Sequence, residues 1–160
     1  MPVLHGQPAD YLMGALTAYA EGRRRSGIMQ PLAADLRTED MHELAGYYAA
    51  LAPPQEQPRI TEAALIARGQ KLALEGMPDT GLPPCTACHG NPGAGAPRLA
   101  GQHAAYMSRQ LRLRKAGLGP GTDGAAIMLP IAQRLRDDEI DAVSAYFATL
   151  APLPREVQLP

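Results

Sequence analysis

Apolar residues recur at helical spacing in several segments of the chain. Behind an acidic first turn, Ile140, Val143, Tyr146 and Leu150 fall along one face of a helix. In the other segments with this spacing, glycines and prolines mark the ends of the predicted helices. The apolar spacing and these end signals predict helices over residues 8–21, 38–51, 61–75, 103–116 and 138–150. No segment alternates apolar and polar residues as a strand does, so we predict an all-α protein with long loops.

The chain contains an internal repeat. Residues 2–22 align with 97–117, and 29–53 align with 128–152, with glycine, proline, glutamine, methionine and tyrosine among the identities. We call residues 2–53 the first repeat and residues 97–152 the second repeat. Residues 61–96 precede the second repeat and have no counterpart before Met1. We therefore predict an incomplete half-domain at 1–53, a proline-rich linker at 54–59, a complete domain at 60–152 and a tail at 153–160.

Composition and charge exclude several classes of protein. With 46% hydrophobic and 19% charged residues, disorder is not expected. The net charge of −1 argues against nucleic-acid binding. No apolar run reaches the roughly 18 residues that span a bilayer, so we predict no transmembrane segment. Aromatic residues are only 4% of the chain, so a hydrophobic core would contain few of the large aromatic side chains that usually fill it.

The two cysteines lie in one short motif. Cys85, Cys88 and His89 form a Cys-x-x-Cys-His sequence, the attachment signature of c-type haem. Thiols three residues apart on a helical turn can reach the two vinyl groups of one porphyrin, and the adjacent histidine can bind its iron. A zinc site using these residues with His103 is an alternative, although a histidine directly after a cysteine is unusual spacing. A redox-active dithiol is another, but it would favour a βαβ setting.

A haem iron would need a second axial ligand. Met128 lies 39 residues beyond His89, in a glycine- and proline-rich segment that we interpret as a flexible loop able to carry the thioether to the iron. Alternatively, Met128 is an ordinary hydrophobic residue of the core. Met107 falls within a predicted helix and Met77 precedes the haem motif, so the next candidate is His103.

Three motifs in order resemble class I c-type cytochromes, and most closely the tandem two-haem bacterial periplasmic type. They are Cys85 to Gly90, Pro97 to Gln102, and Met128 to Ala132 followed by Leu135 and the run 137–140. The resemblance implies an all-α cytochrome c fold around one haem, preceded by the C-terminal half of a second cytochrome-like domain.

The same resemblance implies roles for particular residues. Cys85 and Cys88 would attach one covalent haem c, with His89 as proximal and Met128 as distal iron ligand. The Pro97 carbonyl would accept the other ring N–H of His89 and fix its orientation. Gly69 would permit close crossing of the first helix of the domain with its last, or it is merely a mildly destabilising helix glycine.

The first repeat departs from the family pattern. It retains Met29, the counterpart of Met128, but has no Cys-x-x-Cys-His. We expect the chain to be an N-terminally shortened form of a longer two-haem protein, since its opening residues also lack an export signal. Otherwise the half-domain is a remnant whose apolar helix faces pack on the second domain or on a partner.

These expectations favour electron transfer over catalysis. With His89 and Met128 on the iron, no coordination position is open to a substrate, so we predict no catalytic residue and no enzyme activity. The resemblance implies a periplasmic location and redox protein partners or a membrane respiratory complex. The alternatives are a haem subunit of a dehydrogenase, a haem protein that binds a gas or peroxide, and an interaction module without haem.

Overall fold

The computed structural model describes residues 1–54, 62–90, 96–119, 121 and 125–152. We number its α-helices in chain order. They are α1 Ala9–Ala20, α2 Met29–Ala34, α3 Thr38–Ala50, α4 Ala63–Glu75, α5 Thr86–His89, α6 Ala104–Lys115, α7 Ala125–Arg134 and α8 Asp137–Thr149. A 3-10 turn covers Pro78–Thr80, and an isolated bridge joins Met77 to Leu82. Since these described ranges hold no strand, the all-α prediction is confirmed.

The predicted helix ends lie within about two residues of those found. Gly76 is the C-cap of α4, with φ 68° and ψ −154°, and Gly117, with φ 73°, follows the end of α6. Glycine adopts such positive φ values without a steric penalty. The helix α4 begins at Ala63 with Glu62 at its N-cap, later than predicted. The proposed cap at Thr61, most of the linker and the tail lie outside the described residues.

Besides the single turn α5, two helices were not predicted, α2 and α7, and α7 corrects the placement of Met128. The segment around Met128 is not a loop, because that residue lies inside α7. Its counterpart Met29 begins α2. Both helices contain a proline, Pro130 and Pro31, and a proline ordinarily ends a helix at the residue before it. Packing of α7 against α6 holds a helix together despite Pro130.

The closest helix contact is the crossing of α4 with α8. Gly69 faces the backbone of α8: a Cβ on it would overlap the Ala142 carbonyl and lie 2.9 Å from Tyr146 Cβ. The glycine therefore allows the two backbones to touch, which was one of its two predicted roles. Tyr146 and Phe147, which follow on α8, are buried against this crossing.

Replacing Gly69 by alanine is expected to destabilise the fold by about 1–3 kcal/mol, because the helices must move apart. The matched control is Gly46→Ala in α3, where a Cβ meets nothing within 4 Å. That control should be neutral or stabilising by about 0.5–1 kcal/mol, as expected of an exposed helix glycine. Chemical denaturation of both variants measures the difference. Equal stability of the two would contradict a close crossing.

The main core lies around α8. Its largest buried members are Leu72, Leu82, Met107, Leu135, Ile140, Tyr146 and Phe147. Cys85, Leu99, Leu111 and Ile131 pack against this cluster while remaining partly exposed. We call these eleven residues the core cluster. Since Cys85 belongs to it, the cysteine motif is built onto the best-packed part of the molecule.

The two repeats fold alike. Gly6 donates its N–H to the Tyr48 carbonyl at 3.0 Å, and its counterpart Gly101 donates to the Phe147 carbonyl at 3.0 Å. Both glycines have a positive φ, 71° and 72°. The sequence repeat is therefore also a structural repeat.

Two glutamines join the repeats by a reciprocal contact. Gln7 Nε2 donates to the Arg98 carbonyl at 2.9 Å, and Arg98 N–H donates to Gln7 Oε1 at 2.9 Å. In return, Gln102 Nε2 donates to the Val3 carbonyl at 3.0 Å and Val3 N–H donates to Gln102 Oε1 at 2.9 Å. Gln7 and Gln102 occupy equivalent positions and both are buried. The repeats are thus related by an approximate twofold arrangement at this contact.

One apolar face of the first repeat is exposed. Leu44 and Tyr47 on α3 are 37% and 60% exposed, whereas their counterparts Val143 and Tyr146 are buried under α4. Of the two expected ways of covering the apolar faces of this half, the second domain or a partner, the described residues do not show the first for α3.

Candidate haem site

The cysteine motif forms a single helical turn. Cys85 is the N-cap of α5, and the His89 N–H donates to the Cys85 carbonyl at 3.0 Å. Residues three apart lie on the same side of a helix, so the thiols of Cys85 and Cys88 face one direction. Thr86 Oγ1 donates to the Ala73 carbonyl at 3.3 Å and fastens this turn to α4. Both thiols are free, with Cys85 half-buried and Cys88 exposed.

The His89 ring is oriented through one nitrogen. His89 Nδ1 lies 2.8 Å from the Pro97 carbonyl oxygen, so Nδ1 donates and Nε2 keeps its lone pair. Burial lowers the pKa of His89, the Pro97 contact opposes this, and the Arg114 charge lowers it further. A neutral imidazole with a free Nε2 is the form that binds a metal. The contact with Pro97 that the resemblance implies is present.

The zinc and dithiol alternatives find no support in the described part of the chain. No three His, Cys, Asp or Glu side chains gather there as metal ligands would, and His103 is exposed. Burial raises the pKa of the Cys85 thiol to about 11. A thiol with this pKa stays protonated at neutral pH, whereas a redox-active cysteine needs a thiolate.

Met128 is half-buried and lies three residues before Ile131 on α7. Two residues at this spacing share a helix face, and Ile131 packs against the core cluster that includes Cys85. Met128 therefore shares a face of α7 with a residue that contacts the core cluster. Two thiols on one turn, an oriented imidazole and a methionine are donors of the kind that a covalently attached haem uses.

Gln7 is a site residue that the sequence did not reveal. It holds both backbone groups of Arg98, directly after the Pro97 that orients His89. The first repeat therefore supports the segment that orients the His89 ring. The identity of Gln7 with Gln102 in the repeat alignment was the available signal, but alignment alone does not show that the two contact opposite repeats.

An all-α fold that presents this donor set defines a c-type cytochrome. The chain belongs to the cytochrome c family, whose model matches residues 66–151. It is 34% identical to the thiosulfate dehydrogenase electron acceptor of Thiomonas intermedia, over 92% of this chain and 69% of that protein. It is 35% identical to the cytochrome c4 of Thiocapsa roseopersicina, over 94% of this chain and 79% of that one.

A solved structure agrees with this assignment. Reduced recombinant cytochrome c4 from Pseudomonas stutzeri superposes with a TM-score of 0.86 at 30% identity, covering 94% of this chain and 85% of that chain. The prediction of a class I c-type cytochrome resembling the tandem type is confirmed. The protein transfers electrons by a covalently bound haem c and is not itself an enzyme. Among the described helices, none has the length and apolar character to cross a membrane.

Proposed function

We propose that this protein is a periplasmic electron acceptor for a dehydrogenase, with a haem attached at Cys85 and Cys88 and ligated by His89 and Met128. The observation that carries this proposal is the arrangement of the His89 ring beside two free thiols, with Nδ1 bound to Pro97 and Nε2 available. Residues 60–152 form the haem domain, and residues 1–53 form a half-domain without a haem motif.

Each side chain contributes a distinct physical effect. When bound, the haem supplies one-electron redox chemistry. The Pro97 carbonyl fixes the tautomer and direction of His89, and the Thr86 hydroxyl holds the α5 turn in place. Leu99 and Ile131 are partly buried members of the core cluster to which Cys85 also belongs. A methionine thioether favours ferrous iron and raises the reduction potential above that of a bis-histidine site.

The proposed donor is a dehydrogenase of the thiosulfate-oxidising kind. Relatives from Thiomonas intermedia and Stutzerimonas stutzeri are named as electron acceptors of thiosulfate dehydrogenase, the second at 37% identity. Two exposed residues are proposed contacts for brief docking: Cys88 in the attachment turn, and Ile127, which precedes Met128 and is 64% exposed. With a net charge of −1, little electrostatic steering is available, so the encounter should depend weakly on salt.

The test uses the exported holoprotein with covalent haem. We expect a low-spin spectrum that is unchanged by carbon monoxide, with the methionine-to-iron charge-transfer band in the ferric form. Thiosulfate with catalytic amounts of thiosulfate dehydrogenase should reduce the haem, and omission of either should leave it oxidised. A high-spin spectrum that responds to carbon monoxide would contradict the carrier. Reduction by dithionite but not by the dehydrogenase would contradict the proposed donor.

A further inference from the structure

One peptide group links the first repeat to the His89 ring. The Pro97 carbonyl and the Arg98 N–H belong to the same peptide bond, which is planar. Its oxygen lies 2.8 Å from His89 Nδ1, and its N–H donates to Gln7 Oε1 at 2.9 Å. His89 and Gln7 therefore bind opposite sides of one peptide group, and Gln7 reaches it from the first repeat.

A peptide group transmits polarisation from its N–H to its carbonyl. Resonance gives the C–N bond partial double-bond character, so an acceptor on the N–H increases the negative charge on the oxygen. In a chain of hydrogen bonds, each bond strengthens the next by about 10–30%. The bond to Gln7 therefore makes the Pro97 oxygen a stronger acceptor for the Nδ1 proton of His89. A stronger bond at Nδ1 makes the imidazole more basic at Nε2.

The second hydrogen bond of Gln7 fixes the direction of the first. Gln7 Nε2 donates to the Arg98 carbonyl at 2.9 Å, so the side-chain amide is held at both of its ends. The reverse orientation would place two donors together at the Arg98 N–H, so the backbone partners decide which end is the oxygen. Gln7 is only 6% exposed, and leaving its buried amide unpaired would be costly.

The acceptor oxygen of Gln7 also differs from that of its counterpart. The residue after Gln7 is Pro8, which has no N–H to donate. Gln102 Oε1, by contrast, accepts both the Val3 N–H at 2.9 Å and the N–H of the next residue, His103, at 3.0 Å. In the described structure, the Gln7 oxygen therefore acts on one backbone N–H, whereas the Gln102 oxygen is shared by two.

We propose that Gln7 is a positioning residue that lowers the reduction potential of a haem bound by His89, acting through the Pro97–Arg98 peptide. The inference rests on the proposed haem site. An imidazole that is more basic at Nε2 donates more charge to the iron and stabilises its ferric state. The first repeat, which has no haem motif, thereby tunes the haem of the second domain through one side chain.

The decisive variant is Gln7→Met in the exported holoprotein, with Gln102→Met as its matched control. Each removes two hydrogen bonds between the repeats, but only Gln7 acts on the peptide that holds His89. We expect Gln7→Met to keep its covalent haem and low-spin spectrum. At a fixed ambient potential, its ferric to ferrous ratio should fall about threefold, a rise of about 28 mV at 59 mV per tenfold change for one electron. Gln102→Met should stay near the wild type.

A direct measurement on His89 separates this electronic effect from a loss of structure. In the ferrous protein, the NMR resonance of the His89 Nδ1 proton should move upfield in Gln7→Met, because its hydrogen bond weakens. It should not move in Gln102→Met. Gln7→Glu should keep its potential at or below that of the wild type, since a carboxyl group retains an oxygen for the Arg98 N–H in either protonation state.

Several results would overturn the inference. A haem-loaded Gln7→Met protein with the wild-type potential and Nδ1 resonance would do so while leaving the electron carrier intact. Equal shifts in Gln7→Met and Gln102→Met would assign the effect to loosening of the contact between the repeats. A wild-type protein without covalent haem would overturn both this inference and the proposed function. If Gln7→Met does not fold, Gln7→Asn, whose shorter side chain withdraws the oxygen from Arg98, is expected to raise the potential in its place.

Discussion

Replacing Cys85 and Cys88 together by alanine is expected to abolish covalent attachment of haem. The two thiols are free and lie on one side of the α5 turn, and the described residues hold no other cysteine that could take their place. His89 alone can bind iron only reversibly. Intact mass should therefore match the bare polypeptide, and the alkaline pyridine spectrum of the denatured protein should be lost on dialysis.

The matched control for this variant is Ala87→Ser, an exposed position between the two cysteines that leaves both thiols in place. It should carry one haem per chain. Cys88→Ala alone should retain haem less firmly, through the single thioether of Cys85. Covalent haem in the double variant would mean that attachment occurs elsewhere, and the proposed site would be wrong.

Changing Met128 to histidine is expected to retain the haem and lower its reduction potential strongly. Imidazole favours ferric iron more than a thioether does, and axial ligands span roughly 0.8 V of haem potential. The ferric protein should stay low-spin and lose the methionine-to-iron charge-transfer band. A spectroelectrochemical titration beside the near-infrared spectrum measures both effects.

Met107→Leu is the control for this change. Met107 is a buried member of the core cluster on α6, and leucine has a similar volume. Its potential and charge-transfer band should remain those of the wild type. If Met128→His kept the wild-type band and potential, another residue would have to be the distal ligand.

Local signals in the sequence were sufficient to predict the position and ends of most helices. Gly76 and Gly117 marked helix ends correctly, and the apolar face of α8 was visible from Ile140 to Leu150. The two missed helices that contain a proline, α2 and α7, share one physical cause. Pro31 and Pro130 satisfy the usual rule for a helix stop, and only tertiary packing, which a local pattern does not contain, holds α2 and α7 together.

The candidate site could be predicted in part for a similar reason. Cys85, Cys88 and His89 are adjacent in the chain, so their spacing alone specifies the chemistry. Gln7 comes from the other repeat and follows no spacing rule relative to them. Its role arises from its two hydrogen bonds with the backbone of Arg98, which are a property of the folded molecule.

The glutamine contact between the repeats also bears on how the two copies have diverged. The amide of a glutamine side chain can both donate and accept, and here each glutamine does both with the backbone of the opposite copy. Such a contact does not depend on which side chain that backbone carries. Position 3 is valine and its equivalent, 98, is arginine, yet both are held in the same way. Substitutions can thus accumulate at positions 3 and 98, while neither glutamine can change without leaving a peptide group of its sister copy unpaired.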